Sequence, residues 1–229
     1  MIAQSFVDDW VPAFWLALLL KTVLVVGFFL VVPLMVGYME HKVLAHMQSR
    51  LGPMYAGGFH GWAQLIADGV KFIQKEDIIP AEAHKLFYVL APALAVIPAL
   101  CAFAVIPFGT GVVLFGREVP FQIADLSIGI LWILAMSSLM VYAIVLAGWS
   151  SGSNYPLLGS VRSSAQMISY EVGMALAIVA VVMYSDALRM SEIVASQDRI
   201  WNVIPQFPAF VIYLIAGLAE TNRPPFDLP

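Results

Sequence analysis

The chain has 229 residues, of which 61% are hydrophobic and 11% charged, with a formal charge of -4 and a mean hydropathy of +0.88. A soluble domain carries roughly 45 to 50% apolar and about 25% charged residues, so the composition excludes a soluble fold and indicates an integral membrane protein. The small charge is scattered with no basic stripe, which argues against nucleic acid as a partner. One cysteine, Cys101, excludes a disulfide framework or an iron-sulfur cluster ligated by this chain alone.

The N-terminus carries Asp8 and Asp9 instead of a basic leader, and the first apolar run is too long for a secretory signal, so no targeting peptide is expected. A bilayer core needs about 20 mostly apolar residues per helix. The first such run, residues 14–39, contains Lys21, near enough to the outer edge for its long stem to snorkel.

The polar block at 40–85 follows. Glu40 stands where the first span ends, and Arg50 precedes a Gly-Pro turn. His41, His46, His60 and His84 all lie in this block, but their spacings match no compact ligand pattern, and no metal site is expected. At 61–76, Gln64, Asp68, Lys71 and Lys75 recur at helical spacing, while Trp62, Leu65, Ile66, Phe72 and Ile73 fall largely elsewhere around the helix. This pattern predicts an amphipathic helix in the membrane interface, either an anchor or the wall of a cavity open to lipid.

The second span is expected at 86–108, with Cys101 as packing. Residues 112 to 123 alternate around Gly116 and Arg117 and predict a small hairpin. A third span at 126–149 is followed by an inner loop at 150–160 and a fourth span at 161–184. Glu171 lies about nine residues into that span, roughly 14 Å deep at about 1.5 Å per residue. An ionised carboxylate at that depth is costly, so Glu171 should face protein or water. Proton relay is the preferred reading over a neutral, hydrogen-bonded structural role. Ser164, one heptad earlier, falls on almost the same face.

A short helix is expected at 191–197, and a fifth span at 203–219, which Pro205 and Pro208 should shorten or kink. Residues 220–229, Glu-Thr-Asn-Arg-Pro-Pro-Phe-Asp-Leu-Pro, form a rigid charged segment. Lys42, Arg50, Lys71, Lys75, Lys85, Arg162 and Arg223 fall on the side of loops 40–85, 150–160 and 220–229, against Arg117, Arg189 and Arg199 opposite. The positive-inside rule therefore puts the N-terminus outside and the polar blocks inside. The expected architecture is all-α: one membrane domain over 1–229, with five spans and an interfacial helix.

Taken together, the run from Glu40 to Pro53, the helix from Gln64 to Glu76, the loop from Gly148 to Arg162, the stretch from Gln166 to Glu171 and the segment from Glu220 to Pro229 closely resemble the H-subunit family of NADH:quinone oxidoreductase, respiratory complex I, whose mitochondrial counterpart is NADH dehydrogenase subunit 1. The resemblance implies the membrane end of a quinone chamber. In matching positions, Glu40, Arg50, Asp68, Arg223, Phe226 and Asp227 would lie on or near that chamber, and Glu171 and Glu220 would begin an acidic proton path. Lys71, Lys75 and Glu76 would belong to a helix at the quinone entrance.

Quinone is then a substrate bound at an interface, with no cofactor held by this chain alone. The implied partners are peripheral-arm iron-sulfur and quinone-site subunits, adjacent membrane subunits and the bilayer. The implied location is the bacterial plasma membrane or the mitochondrial inner membrane. His41 stands where the family has Arg, Met54 replaces Asn, and Pro224 replaces Ala or Thr. The family also continues past the Asp227 loop, so a truncated sequence is expected here. Two other readings are a homologous subunit of a membrane-bound hydrogenase-type complex and a proton-coupled transporter using Glu171.

Overall fold

The computed structural model describes residues 11–109, 112–114, 117–119, 121–223 and 225–226. It divides into two compact units, one ending at Ile78 and the other beginning at Ile79.

In the first unit, α1 (Val11–Met47) has 37 residues. At about 1.5 Å per residue it is roughly 55 Å long, well beyond a bilayer core of about 30 Å. The helix therefore carries Glu40 and His41 along its last turns instead of ending at residue 39. Beyond Met47 the chain folds back on the helix end: Arg50 N donates to Ala45 O at 2.7 Å. A 3-10 turn (Phe59–Gly61) leads into α2 (Gln64–Gln74).

Gly61 has φ +68°, and a Cβ there would stand 2.6 Å from the Pro53 carbonyl carbon, so only glycine fits. Tyr38 donates its hydroxyl to His60 O at 2.8 Å. The Leu65 side chain comes within 2.9 Å of the point a Cβ on Gly37 would occupy, which seats α2 on α1. Ile66, Val70, Phe72 and Ile73 remain exposed while Gln64 and Asp68 are half-buried. Such an uncovered apolar set is what a helix lying in a membrane interface needs.

The second unit contains α3 (Lys85–Phe103), strands β1 (Val112–Leu114) and β2 (Arg117–Val119), α4 (Gly129–Ser150), α5 (Asn154–Ser185), α6 (Met190–Ala195) and α7 (Phe207–Glu220). Helix α3 packs on α4, α4 on α5, and α5 on α7. The strands form the expected hairpin, with Val112 opposite Val119 and Leu114 opposite Arg117. Trp132 Nε1 donates to Cys101 O at 3.0 Å and ties α4 to α3.

Helix α5 starts at Asn154, so the loop expected at 150–160 shortens to residues 151–153. Its Gly, Ser, Asn and Pro residues read as loop, yet Pro156 falls in the first helical turn, where its missing N–H costs no hydrogen bond. Gly152, at φ +73°, lies against the Glu82 backbone and makes the sharp return possible. Helix α3 ends at Phe103, before the 108 expected. Among the described residues, four helices are long and apolar enough to cross a membrane, and α7, with 14 residues, is shorter. Pro208 sits at the start of α7 and shortens it without kinking it. The chain is thus a helical, multi-pass membrane protein, and its many exposed apolar side chains, such as Leu24, Met35 and Leu176, suit contact with lipid.

Candidate functional site

The second unit holds a carboxylate within a membrane-length helix. Glu171 lies midway along α5, half-buried, and its Oε1 accepts from Ser137 Oγ at 3.2 Å and from Ser138 Oγ. Both serines come from the middle of α4, and each hydroxyl also lies near Leu134 O, at 3.0 and 2.9 Å. A serine has one proton to donate. With Glu171 ionised, the serine hydroxyls can donate to it; with Glu171 protonated, they can donate to Leu134 O while their oxygens accept a hydrogen bond from the carboxyl O–H. The pocket therefore accommodates either protonation state without moving a helix.

Glu220, the last residue of α7, is near enough to feel the charge of Glu171. Both acidic residues expected to act on protons therefore lie in the second unit, one midway along α5 and the other at the end of α7. Ser164, one heptad before Glu171 in the same helix, donates to Ser160 O at 2.7 Å and is buried.

The segment after α7 turns back toward α5. Phe226 packs edge-on against Tyr170 with ring centroids 5.2 Å apart, and Gln166 Nε2 donates to Phe226 O at 3.5 Å. Phe226 N donates to Arg223 O at 2.8 Å, which closes the turn and leaves Arg223 exposed. Asp227 lies outside the described residues.

In the first unit, a cavity of about 390 Å³ opens beside the end of α1. Glu40, His41, Leu44, Gln48, Arg50 and Pro53 line it. Glu40 and Leu44 stand at successive turns of α1, Gln48 follows just past its end, and the back-folded loop brings Arg50 to the same wall, where it donates to the Gln48 side-chain carbonyl. Lys42 Nζ donates to Leu51 O at 3.4 Å and approaches Met54 Sδ at 3.1 Å, so Met54 helps hold the loop.

Asp68 does not line this cavity. Its Oδ1 accepts from Gln64 Nε2 at 3.0 Å and faces Lys71 Nζ at 3.8 Å along α2. Ser137 and Ser138 do not stand out in the sequence as Glu171 does. Their signal was present, since paired hydroxyls in the middle of an apolar span are costly unless something there uses them.

A family model described as NADH dehydrogenase matches residues 20–229. The chain belongs to this family. Among similar proteins, the H subunit of NADH-quinone oxidoreductase from Frankia casuarinae is 51% identical over 226 residues, covering 99% of this chain and 49% of that protein. The second of two such H subunits from Geobacter metallireducens is 48% identical, covering 95% of this chain and 66% of its own length. An H subunit of NADH-quinone oxidoreductase from Geobacter sulfurreducens is 46% identical, covering 94% and 65%. The chain thus spans about half to two thirds of the length of these curated relatives.

Proposed function

We propose that this chain works as the membrane subunit of a proton-pumping NADH:quinone oxidoreductase, binding quinone and coupling its reduction to proton movement. The names of its relatives support that class. The observation that carries the coupling role is Glu171, midway along α5, whose Oε1 accepts from two adjacent hydroxyls of α4.

Reduction of a quinone to its quinol takes two electrons and two protons. The electrons come from other subunits, and the proton work falls to Glu171 and Glu220. Glu40, Arg50 and Asp68 in one unit, and Arg223, Phe226 and Asp227 in the other, are assigned to quinone binding. A guanidinium such as that of Arg50 suits the negative charge that develops on a quinone oxygen. The exposed apolar side of α2 suits the approach of an isoprenoid tail from lipid. The distribution of Lys and Arg supports an inner position for the blocks containing these residues.

Arg50→Ala and Glu220→Gln, each in the assembled complex, test this reading. NADH:quinone activity and pumping should be lost, while a small artificial acceptor is still reduced by the peripheral arm. Undiminished quinone reduction in both variants would overturn it.

A further inference from the structure

At the end of the second unit opposite Glu220, a groove of about 320 Å³ runs among α4, α5, α6 and α7. Its walls are mostly apolar, with Ile130, Ile133, Ile178 and Phe210 prominent, and three amides line it: Gln197, whose side chain is paired with Ile193 O and Asn202 N, together with Asn202 and Gln206. Asn202 is 6% exposed, and neither its Nδ2 nor its Oδ1 has a hydrogen-bond partner. Gln206 Nε2 donates to Ala180 O at 2.8 Å, which fixes the orientation of that amide and leaves its buried Oε1 unpartnered.

A buried polar atom without a partner costs about as much as a lost hydrogen bond. Three such atoms in one groove call for a ligand that can both donate and accept. The surroundings define the rest of that ligand. From Gln206 to Tyr213 the groove follows α7 for roughly 10 Å. Exposed Tyr184 and Trp201 flank the same end, as aromatic residues do at the level of lipid headgroups.

The geometry points to a binding site for a membrane amphiphile with an uncharged, hydroxyl-bearing head, such as a monoacylglycerol. The head pairs with Asn202 and Gln206, and the alkyl chain lies along Ile133, Ile178 and Phe210. A mostly apolar cleft with a few convergent polar groups is the usual form of a small-molecule site. Neither Glu171 nor Glu220 is among the residues lining this groove.

The test uses the purified complex containing the full chain and a 1-acylglycerol with a diazirine in its acyl chain, with cross-links mapped by peptide mass spectrometry. Labelling should fall on peptides of α4, α5 and α7 and be competed by unlabelled 1-acylglycerol. Asn202→Leu should weaken labelling about ten-fold, as expected for losing more than one hydrogen bond. Ala209→Phe, which fills the groove from α7, should abolish it. Absence of competable labelling in the unaltered complex overturns the proposal, whatever the variants do. So does labelling by a diazirine alkane lacking the hydroxyl that equals that of the acylglycerol, since it would reduce the groove to a general apolar cleft.

Discussion

Replacing Glu171 by Gln should leave the complex assembled and lower NADH:quinone turnover by about a hundred-fold, the scale expected when a positioned proton-transfer group is removed. Gln keeps the length of the side chain and an oxygen that can accept from Ser137 and Ser138, so packing between α4 and α5 is retained. What it loses is the ability to take up and release a proton. Glu171→Leu should be equally inactive and still assemble, because each serine has the Leu134 carbonyl as an alternative acceptor.

The serines provide a graded companion to this test. Ser137→Ala with Ser138→Ala should reduce turnover less than Glu171→Gln, and Thr at both positions should restore much of it by returning the hydroxyls. Quinone reduction is followed beside reduction of an artificial acceptor, which reports that the peripheral arm is intact. Full pumping by Glu171→Gln would remove Glu171 from the proton path.

Much of the fold could be read from the sequence because bilayer solvation imposes a simple rule: long apolar runs must become helices. The runs that became α1, α3, α4 and α5 follow that rule, and the hairpin and α6 follow from local alternation and spacing. The ends were less legible. Residues 40 to 47 look like a loop because they are polar, yet they continue α1, since helix formation does not stop where lipid does. The first turn of α5 was hidden for the same reason.

The candidate site divides along similar lines. A carboxylate in an apolar run announces itself, so Glu171 was visible from its depth alone. Its partners were not, because contact between Glu171 and residues more than 30 positions away depends on how α4 and α5 are rotated against each other. Asn202 and Gln206 were equally hidden. In sequence they are ordinary polar residues before a helix, and only packing buries them.

That rotation of α4 against α5 is held by a close approach at Gly148, where the largest effect on assembly is expected. A Cβ at Gly148 would overlap the Ser160 side chain and stand 2.6 Å from Pro156 O. The carbonyl cannot swing away as a side-chain tip can, so the helices must part. Small residues at such contacts let membrane helices pack backbone to backbone, where no hydrophobic effect drives them together. Gly148→Leu should therefore cost more than the ~1 to 3 kcal/mol typical of overpacking and remove most of the chain from the assembled complex, read by blue-native electrophoresis of solubilised membranes. Gly148→Ala should be milder and partly relieved by Ser160→Gly. Gly159, one residue from Ser160, has nothing within 4 Å of its Cβ position, and Gly159→Ala should assemble normally. Equal assembly of Gly148→Leu and Gly159→Ala would refute the close approach. Because α5 carries Glu171, any Gly148 variant that does assemble should also show impaired quinone reduction, as parting the helices draws the carboxylate away from Ser137 and Ser138.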